Sequence, residues 1–224
     1  MIEETQKLLH SRKSVRAYRT DKIEKKLIES ILIAARCAPS GANLQPGRFH
    51  VLAGEPLKLL TEKLLLAATS GRPVVKEYSY FPEPMSKELK AKQRAAGFAL
   101  YNALGIEKRE TKRRREQFNQ NYVFFNAPVG IIVTIDRNMG KGCFMDLGMV
   151  LMSLFISAES HGLGTSGIGA LANHGDLIHK HLDLAENELV VCGIALGFPE
   201  HNSPVNKVQT GRDSVESYTS FHGF

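Results

Sequence analysis

Two apolar runs of strand length, with an apolar helix between them, most narrow what this chain can become. Val129–Ile135 follows Pro128 and is rich in isoleucine and valine, the composition of a buried strand, and Glu188–Leu196 reads the same way. Between them Phe144–His161 reads as an apolar helix too short to span a bilayer, and Gly162 stops it. These three segments mark the core. Other elements alternate helix and strand without a strict strand–helix–strand rhythm, and few connections suit a doubly wound sheet, which makes the chain α+β.

The remaining elements follow from spacing and punctuation. Ile2–His10 should be helical. Asp21-Lys22-Ile23-Glu24 reads as a helix start with a reciprocal acidic cap, followed by Leu27, Ile31, Ala34 and Ala35 at helical intervals, and the helix should end before Pro39. A strand is expected at Arg48–Leu52. Leu57, Leu60, Leu64 and Ala68 predict a helix from about Glu55. From Gly71 to Pro84 the pattern breaks, with three prolines among Tyr78, Tyr80 and Phe81, and this stretch is expected to be the mobile excursion. Helices are predicted again over Ser86–Leu104, over Ile106 to about Gln120, and around Asp176–Leu182. One domain over 1–224 with a helical insertion at about 71–120 accounts for the whole, and 43% hydrophobic residues suffice for its core.

Composition excludes several classes. Cys37, Cys143 and Cys192 are odd in number and far apart, so no disulfide framework or metal cluster is expected, and the cytoplasm is the default compartment. No apolar run approaches the roughly 18 residues of a membrane span, and Glu3 and Glu4 precede any apolar stretch, unlike a signal peptide. The formal charge of +6 is concentrated in Lys108, Arg109, Lys112, Arg113, Arg114 and Arg115. Without interleaved aromatics or a recognisable module, that run reads as a wet helix face rather than a nucleic-acid surface.

One basic segment is of another kind. Ser11-Arg12-Lys13-Ser14-Val15-Arg16 places three cations and two hydroxyls where the first helix gives way to extended chain. Alternation sends Arg12, Ser14 and Arg16 to one side, where guanidinium forks and a hydroxyl can converge on a phosphate. A solvated basic turn would look the same from these six residues alone. Ala38-Pro39-Ser40-Gly41-Ala42-Asn43-Leu44-Gln45-Pro46 is a polar loop bracketed by prolines, able to present hydrogen-bonding groups or simply to connect two elements. Gly162-Leu163-Gly164-Thr165-Ser166-Gly167 satisfies GxGxxG, but it closes a long helix where a dinucleotide fingerprint must leave a strand and open one. With Gly169, it offers a backbone that can pass close to a flat ligand.

Hydrolase and nucleotidase motifs are missing: there is no GxSxG, HExxH or GxxxxGK[ST]. His179 and His181 fall on different helix faces and cannot share a metal, and Asp183, Glu186 and Glu188 read as solvated carboxylates. No side-chain constellation stands out as the reactive group, so neither a catalytic residue nor a metal site is assigned. Phosphate-binding cations without such a constellation suggest that a cofactor carries the chemistry.

In their order along the chain, these stretches resemble the FMN-dependent nitroreductases, with their flavin reductase and halotyrosine dehalogenase relatives. Ser11–Arg16 resembles the family's Arg-x-Ser-x-Arg signature and Ala38–Pro46 its flavin-edge loop. Asp146-Leu147-Gly148 and Gly162-Leu163-Gly164-Thr165 resemble the ends of its dimer-forming helix, and Pro204-Val205-Asn206-Lys207 through Arg212 its C-terminal phosphate contact. The resemblance implies an intertwined homodimer around a central mixed sheet flanked by helices, with FMN at the interface and NADH or NADPH as electron donor. It places Arg12, Ser14 and Arg212 at the phosphate and ribityl end and Arg16 near the N1–C2=O edge. Pro39, Ser40, Gly41, Asn43 and Gln45 would approach the flavin from the partner subunit, and Gly167, Ile168 and Gly169 would turn backbone N–H groups toward N5 and O4. Lys13, Lys207 and Asn121 are further contacts.

The implied activity is ping-pong reduction of nitroaromatics, quinones or similar small electron-poor acceptors, without nucleic-acid or membrane partners. Reductive dehalogenation and a non-catalytic flavin sensor or carrier are the alternatives. Two residues depart from the family pattern. Gly47 replaces a common tryptophan, which should loosen the packing beneath the loop, and Gly169 stands where some members have glutamate.

Overall fold

A computed structural model describes residues 2–75 and 77–224. In chain order its elements are α1 (Ile2–Ser11), α2 (Lys25–Ala35), β1 (Arg48–Ala53), α3 (Gly54–Thr69), α4 (Lys87–Ala103), α5 (Thr111–Asn119), β2 (Val129–Asp136), α6 (Lys141–Ser160), β3 (Gly164–Ile168), α7 (Gly175–Leu182), β4 (Glu188–Gly197) and α8 (Val215–Tyr218). The two apolar runs are the adjacent inner strands of a sheet ordered β1-β2-β4-β3. They pair antiparallel, with Ile131 opposite Ile194 and Val133 opposite Cys192, and both edge strands are antiparallel to their neighbours. The sheet expected to be mixed is therefore antiparallel through its four strands, and among the described residues parallel pairing to it is confined to an isolated bridge between Ser14 and Thr165.

Alternation along the inner strands builds a core on each face. Ile131, Val133, Ile135, Ile194 and Leu196 meet Ile28 and Ile31 of α2 and Leu147, Val150 and Leu154 of α6. On the opposite face Ile132, Val190 and Ala195 meet Leu57, Leu60 and Leu64 of α3, together with Phe124 and Ile178. Each fully buried aliphatic side chain contributes roughly 1.5–3 kcal/mol, so these two layers supply most of what fixes the sheet.

The structure departs from sequence expectation in several places. The acidic cap of α2 does not form: Glu24 makes no side-chain cap bond, and Arg19 holds the Asp21 carboxylate at 2.8 Å. By length and composition α6 is long and apolar enough to cross a membrane, contrary to the shorter helix expected, although one of its faces packs into the core. The stretch from Gly71 to Pro84 is anchored rather than loose. Val75 donates to the Asn173 carbonyl (3.0 Å), Glu77 accepts from the Val190 N–H (2.8 Å) and from Arg137 (3.0 Å), and the Tyr78 hydroxyl donates to the Val191 carbonyl (2.6 Å).

Glu188 is also not a solvated carboxylate. It is 5% exposed, lies 2.9 Å from His50 Nε2 and accepts from the Thr134 hydroxyl, with Arg48 at 3.5 Å. Burial pushes its pKa up, but the Thr134 and His50 hydrogen bonds and the nearby positive charges outweigh this and hold it below the ordinary glutamate value. His179 lies against Glu77 and Arg137, whereas His181 meets Lys63.

Candidate active site

The basic hexapeptide leaves α1 and lies along the free edge of β3. Val15 donates its N–H to the Thr165 carbonyl (2.9 Å) and buries its side chain over Gly164, where any Cβ would come within 2.4 Å of it. Only glycine permits that approach. The Arg16 N–H donates to Asn206 Oδ1 (2.8 Å), and the buried Asn206 amide donates onward to the Ala17 carbonyl (2.7 Å) and the Glu200 carbonyl (2.9 Å). Two distant parts of the sequence are thereby joined beside β3.

With Val15 turned inward, Arg12, Ser14 and Arg16 are half-buried, and Lys13 is exposed. The Arg16 guanidinium lies 5.9 Å from the Phe125 ring centre and donates to the Ser14 carbonyl at 3.4 Å. Burial holds its pKa below the usual arginine value, while the neighbouring Tyr18 hydroxyl acts in the opposite sense. Arg12 has a buried Nε without a hydrogen-bond partner. Among the described residues neither arginine forms an ion pair. A desolvated cation without a carboxylate is costly, and the arrangement favours an anion supplied from outside the chain.

Not every expected phosphate contact joins this group. Arg212 donates to Thr210 and Gly211 and lines a groove with Lys92 and Asp213, in which neither Arg12 nor Ser14 takes part. Lys207 is exposed at the end of a short turn, Pro204–Lys207.

The proline-bracketed loop is held in shape from below. Arg36, its guanidinium 5.6 Å from the Phe49 ring centre, donates to the carbonyls of Gln45 (2.8 Å), Pro46 (3.0 Å) and Gly47 (2.9 Å). The Gly41 N–H donates to Asp146 near the start of α6 (3.1 Å), and the Gln45 N–H to the Ser40 hydroxyl (2.9 Å). Gly47 has φ +92°, and a Cβ there would lie 2.5 Å from Leu147. The glycine therefore makes a close contact under the loop rather than the loosened packing expected from loss of a tryptophan. Pro39, Gly41, Asn43 and Gln45 are exposed and Ser40 is half-buried. Within one chain, no hydrogen bond among the described residues joins them to Arg12–Arg16 or Gly167–Gly169.

β3 carries Gly167 and Ile168, and Gly169 follows it. The Ile168 side chain is in the core, which leaves only its backbone for a ligand, whereas Gly167 is exposed. Gly169 and Asn121 line a cavity of about 360 Å³ with Tyr78, Tyr80, Phe81 and Phe118. Tyr80 occupies the space beside Gly169, 3.1 Å from where a Cβ would sit. Sequence reasoning put Tyr78, Tyr80 and Phe81 in the excursion, and Phe118 in the helix with the basic run, without assigning any of them to the site; the clustering of the first three among prolines was the available signal. It assigned no role to Arg36 or Asp146, whose work is done through backbone atoms of the loop.

The Nitroreductase family model matches residues 9–198. A 4-nitrobenzoate reductase from Pseudomonas putida is 35% identical over 214 residues, covering 96% of this chain and 93% of that protein. A nitrobenzene nitroreductase from Ectopseudomonas oleovorans is 29% identical, covering 96% and 95%. Among solved structures, the FMN and NADPH-dependent nitroreductase NfnB from Sphigopyxis sp. strain HMH is 30% identical with a TM-score of 0.96, covering 98% of this chain and 99% of that one. The NfnB of Mycobacterium smegmatis, in complex with NADPH, is 25% identical with a TM-score of 0.93, covering 99% and 100%. A sequence match running from before the basic hexapeptide to just past the last strand, on a backbone shared almost end to end, makes this chain a member of the Nitroreductase family.

Proposed function

We propose that the chain is an FMN-dependent oxidoreductase that uses NADH or NADPH to reduce nitroaromatics, quinones or similar electron-poor acceptors by a ping-pong mechanism. The observation that carries this reading is the pair Arg12 and Arg16, half-buried beside β3 and without ion pairs among the described residues. They fit a ligand that brings a phosphate and an electron-rich ring edge, and the relatives whose names mention FMN share this fold. Bound FMN would supply hydride acceptance and transfer, chemistry that no protein side chain here provides.

The chain's own residues then have distinct tasks. Arg12 and Ser14 hold the phosphate and ribityl end, with Lys13, Lys207 and Arg212 adding charge. Arg16 offers positive charge at the ring edge that becomes more negative on reduction, in a partly desolvated setting where such a charge acts strongly. Gly167, Ile168 and Gly169 present backbone N–H groups to the other edge. The aromatic cavity containing Asn121 and Tyr80 receives donor and acceptor in turn, excluding water with its rings. The helical insertion at about 71–120 forms part of the same single domain and sets acceptor identity.

The polar loop reaches the ring from a second copy. Support comes from the exposed apolar surface: Met145, Met149 and Met152 of α6, Leu44 of the loop, and Tyr218, Phe221 and Phe224 near the C-terminus. Exposed apolar side chains spaced along one helix, Met145, Met149 and Met152, mark an interface, and a homodimer covers them while completing two sites. Three unpaired cysteines accord with the cytoplasm.

The clamp is tested by measuring FMN affinity in the Arg12→Ala/Arg16→Ala variant across a salt series. Charge-assisted contacts contribute roughly 1.5–3 kcal/mol each, so affinity should fall at least tenfold at low salt, with a smaller loss at high salt. Equal affinity in variant and parent would remove the assignment.

A further inference from the structure

Phe118 is a wall shared by two cavities. One is the aromatic cavity beside Gly169; the other, of about 430 Å³, lies between the end of α3 and α5 and has Tyr122 and His174 among its lining residues. Lys112, Arg115 and Phe118 recur at intervals of three along α5, which puts them on one helix face, and Asn119 beside them is buried.

Charge in the second cavity is unbalanced in a particular way. Arg72 is committed to Asp176, with a second contact at 3.3 Å. Lys112 reaches Glu116 only at 4.0 Å, with both side chains mostly in water, and Arg115 makes no ion pair or hydrogen bond among the described residues. His174 is 2% exposed, packs 5.2 Å from the Tyr122 ring centre, and has a buried Nδ1 without a partner. Burial lowers its pKa, Arg72 acts in the same sense and Asp176 opposes them. The cavity thus combines an aromatic wall, in which Tyr122 and His174 pack together, with two cations at most weakly engaged. Such a lining suits an aromatic base carrying a phosphate monoester on its sugar: the rings pack and the cations meet the dianion.

We propose that this second cavity takes the 2′-phosphorylated adenosine end of the nicotinamide donor, making Lys112 and Arg115 the residues that select NADPH over NADH. The inference rests on the reading above in one respect, that the nicotinamide ring enters the aromatic cavity on the other side of Phe118. A dinucleotide has a flat ring at each end of a flexible pyrophosphate and can straddle one phenyl group, occupying both spaces.

The test is calorimetric titration of the purified protein with 2′,5′-ADP and with 5′-AMP, which lacks the 2′-phosphate. In the parent, 2′,5′-ADP should bind about tenfold or more tightly than 5′-AMP, the factor expected from one or two charge-assisted contacts. In the Lys112→Ala/Arg115→Ala variant the difference should collapse, and in the parent it should shrink with added salt. Both side chains are exposed, and circular dichroism checks that the variant is folded. Equal binding of the two nucleotides by the parent, or a preference that survives the double substitution, overturns the assignment. So does inorganic phosphate binding as tightly as 2′,5′-ADP, which would make this a site for free phosphate. Flavin content is read separately from the visible spectrum: a yellow protein that fails the titration loses only this inference, whereas a protein unable to bind FMN loses the oxidoreductase reading.

Discussion

Glu188 shows how a single residue can be misread from sequence and then explained by its neighbours. Flanked by loop carboxylates, it looks solvated; as the first residue of β4 it is instead buried across the sheet from Thr134 and His50. The cross-strand partners that hold it are far away in sequence, so the local composition carried no sign of them. Because its folded pKa is lowered, the stability it contributes is present above the ordinary glutamate value of 4.5 and is lost as the pH falls toward the folded value. Glu188→Gln should therefore cost roughly 1.5–3 kcal/mol near neutral pH and show a weaker decline on acidification than the parent. Urea denaturation at several pH values checks this; parallel stability curves would contradict it. The arginines are the opposite case. Alternation in extended chain predicts one shared side for Arg12, Ser14 and Arg16; in the structure the three are half-buried and Val15 between them is buried against Gly164, while Lys13 is exposed.

Among elements, β2, β4 and α6 were evident because continuous apolar runs leave few alternatives, while β3 was not. Gly-Thr-Ser-Gly-Ile has weak strand propensity and becomes a strand by pairing with β4, Ser166 opposite Ala195 and Gly167 opposite Ile194. The glycines at 162–167 were correctly denied a dinucleotide fingerprint, but part of that run forms the strand on which the candidate site is built. The proline-bracketed loop makes a related case. Its sequence announced a polar connector, and its rigidity comes from Arg36, at the end of α2, reaching three carbonyls. Removing that fork should loosen the loop, although Arg36 itself is not among the proposed ligand contacts. Arg36→Ala is expected to lower the local opening free energy by about 1–2 kcal/mol, which raises limited proteolysis within 40–47 by roughly tenfold. An unchanged cleavage rate would show that Asp146 and the packing at Gly47 suffice.

For the whole molecule, the proposal requires two copies. The loop residues expected at the ring and the arginines expected at the phosphate are not hydrogen-bonded to each other within one chain among the described residues, and α6 exposes Met145, Met149 and Met152. Sedimentation should therefore give a dimer, and Met149→Glu should shift it toward monomer and release FMN in the same titration. A monomer that retains FMN would break the link between assembly and site. The order of signature segments made the family legible from sequence, but a composite site leaves little trace in one chain's periodicity. The most direct measurement is the visible absorption spectrum of the isolated protein, before and after incubation with FMN, followed by anaerobic addition of NADPH. The account predicts a bound flavin spectrum that bleaches on adding the nucleotide and returns with a nitroaromatic acceptor. A colourless protein that takes up no FMN would contradict it.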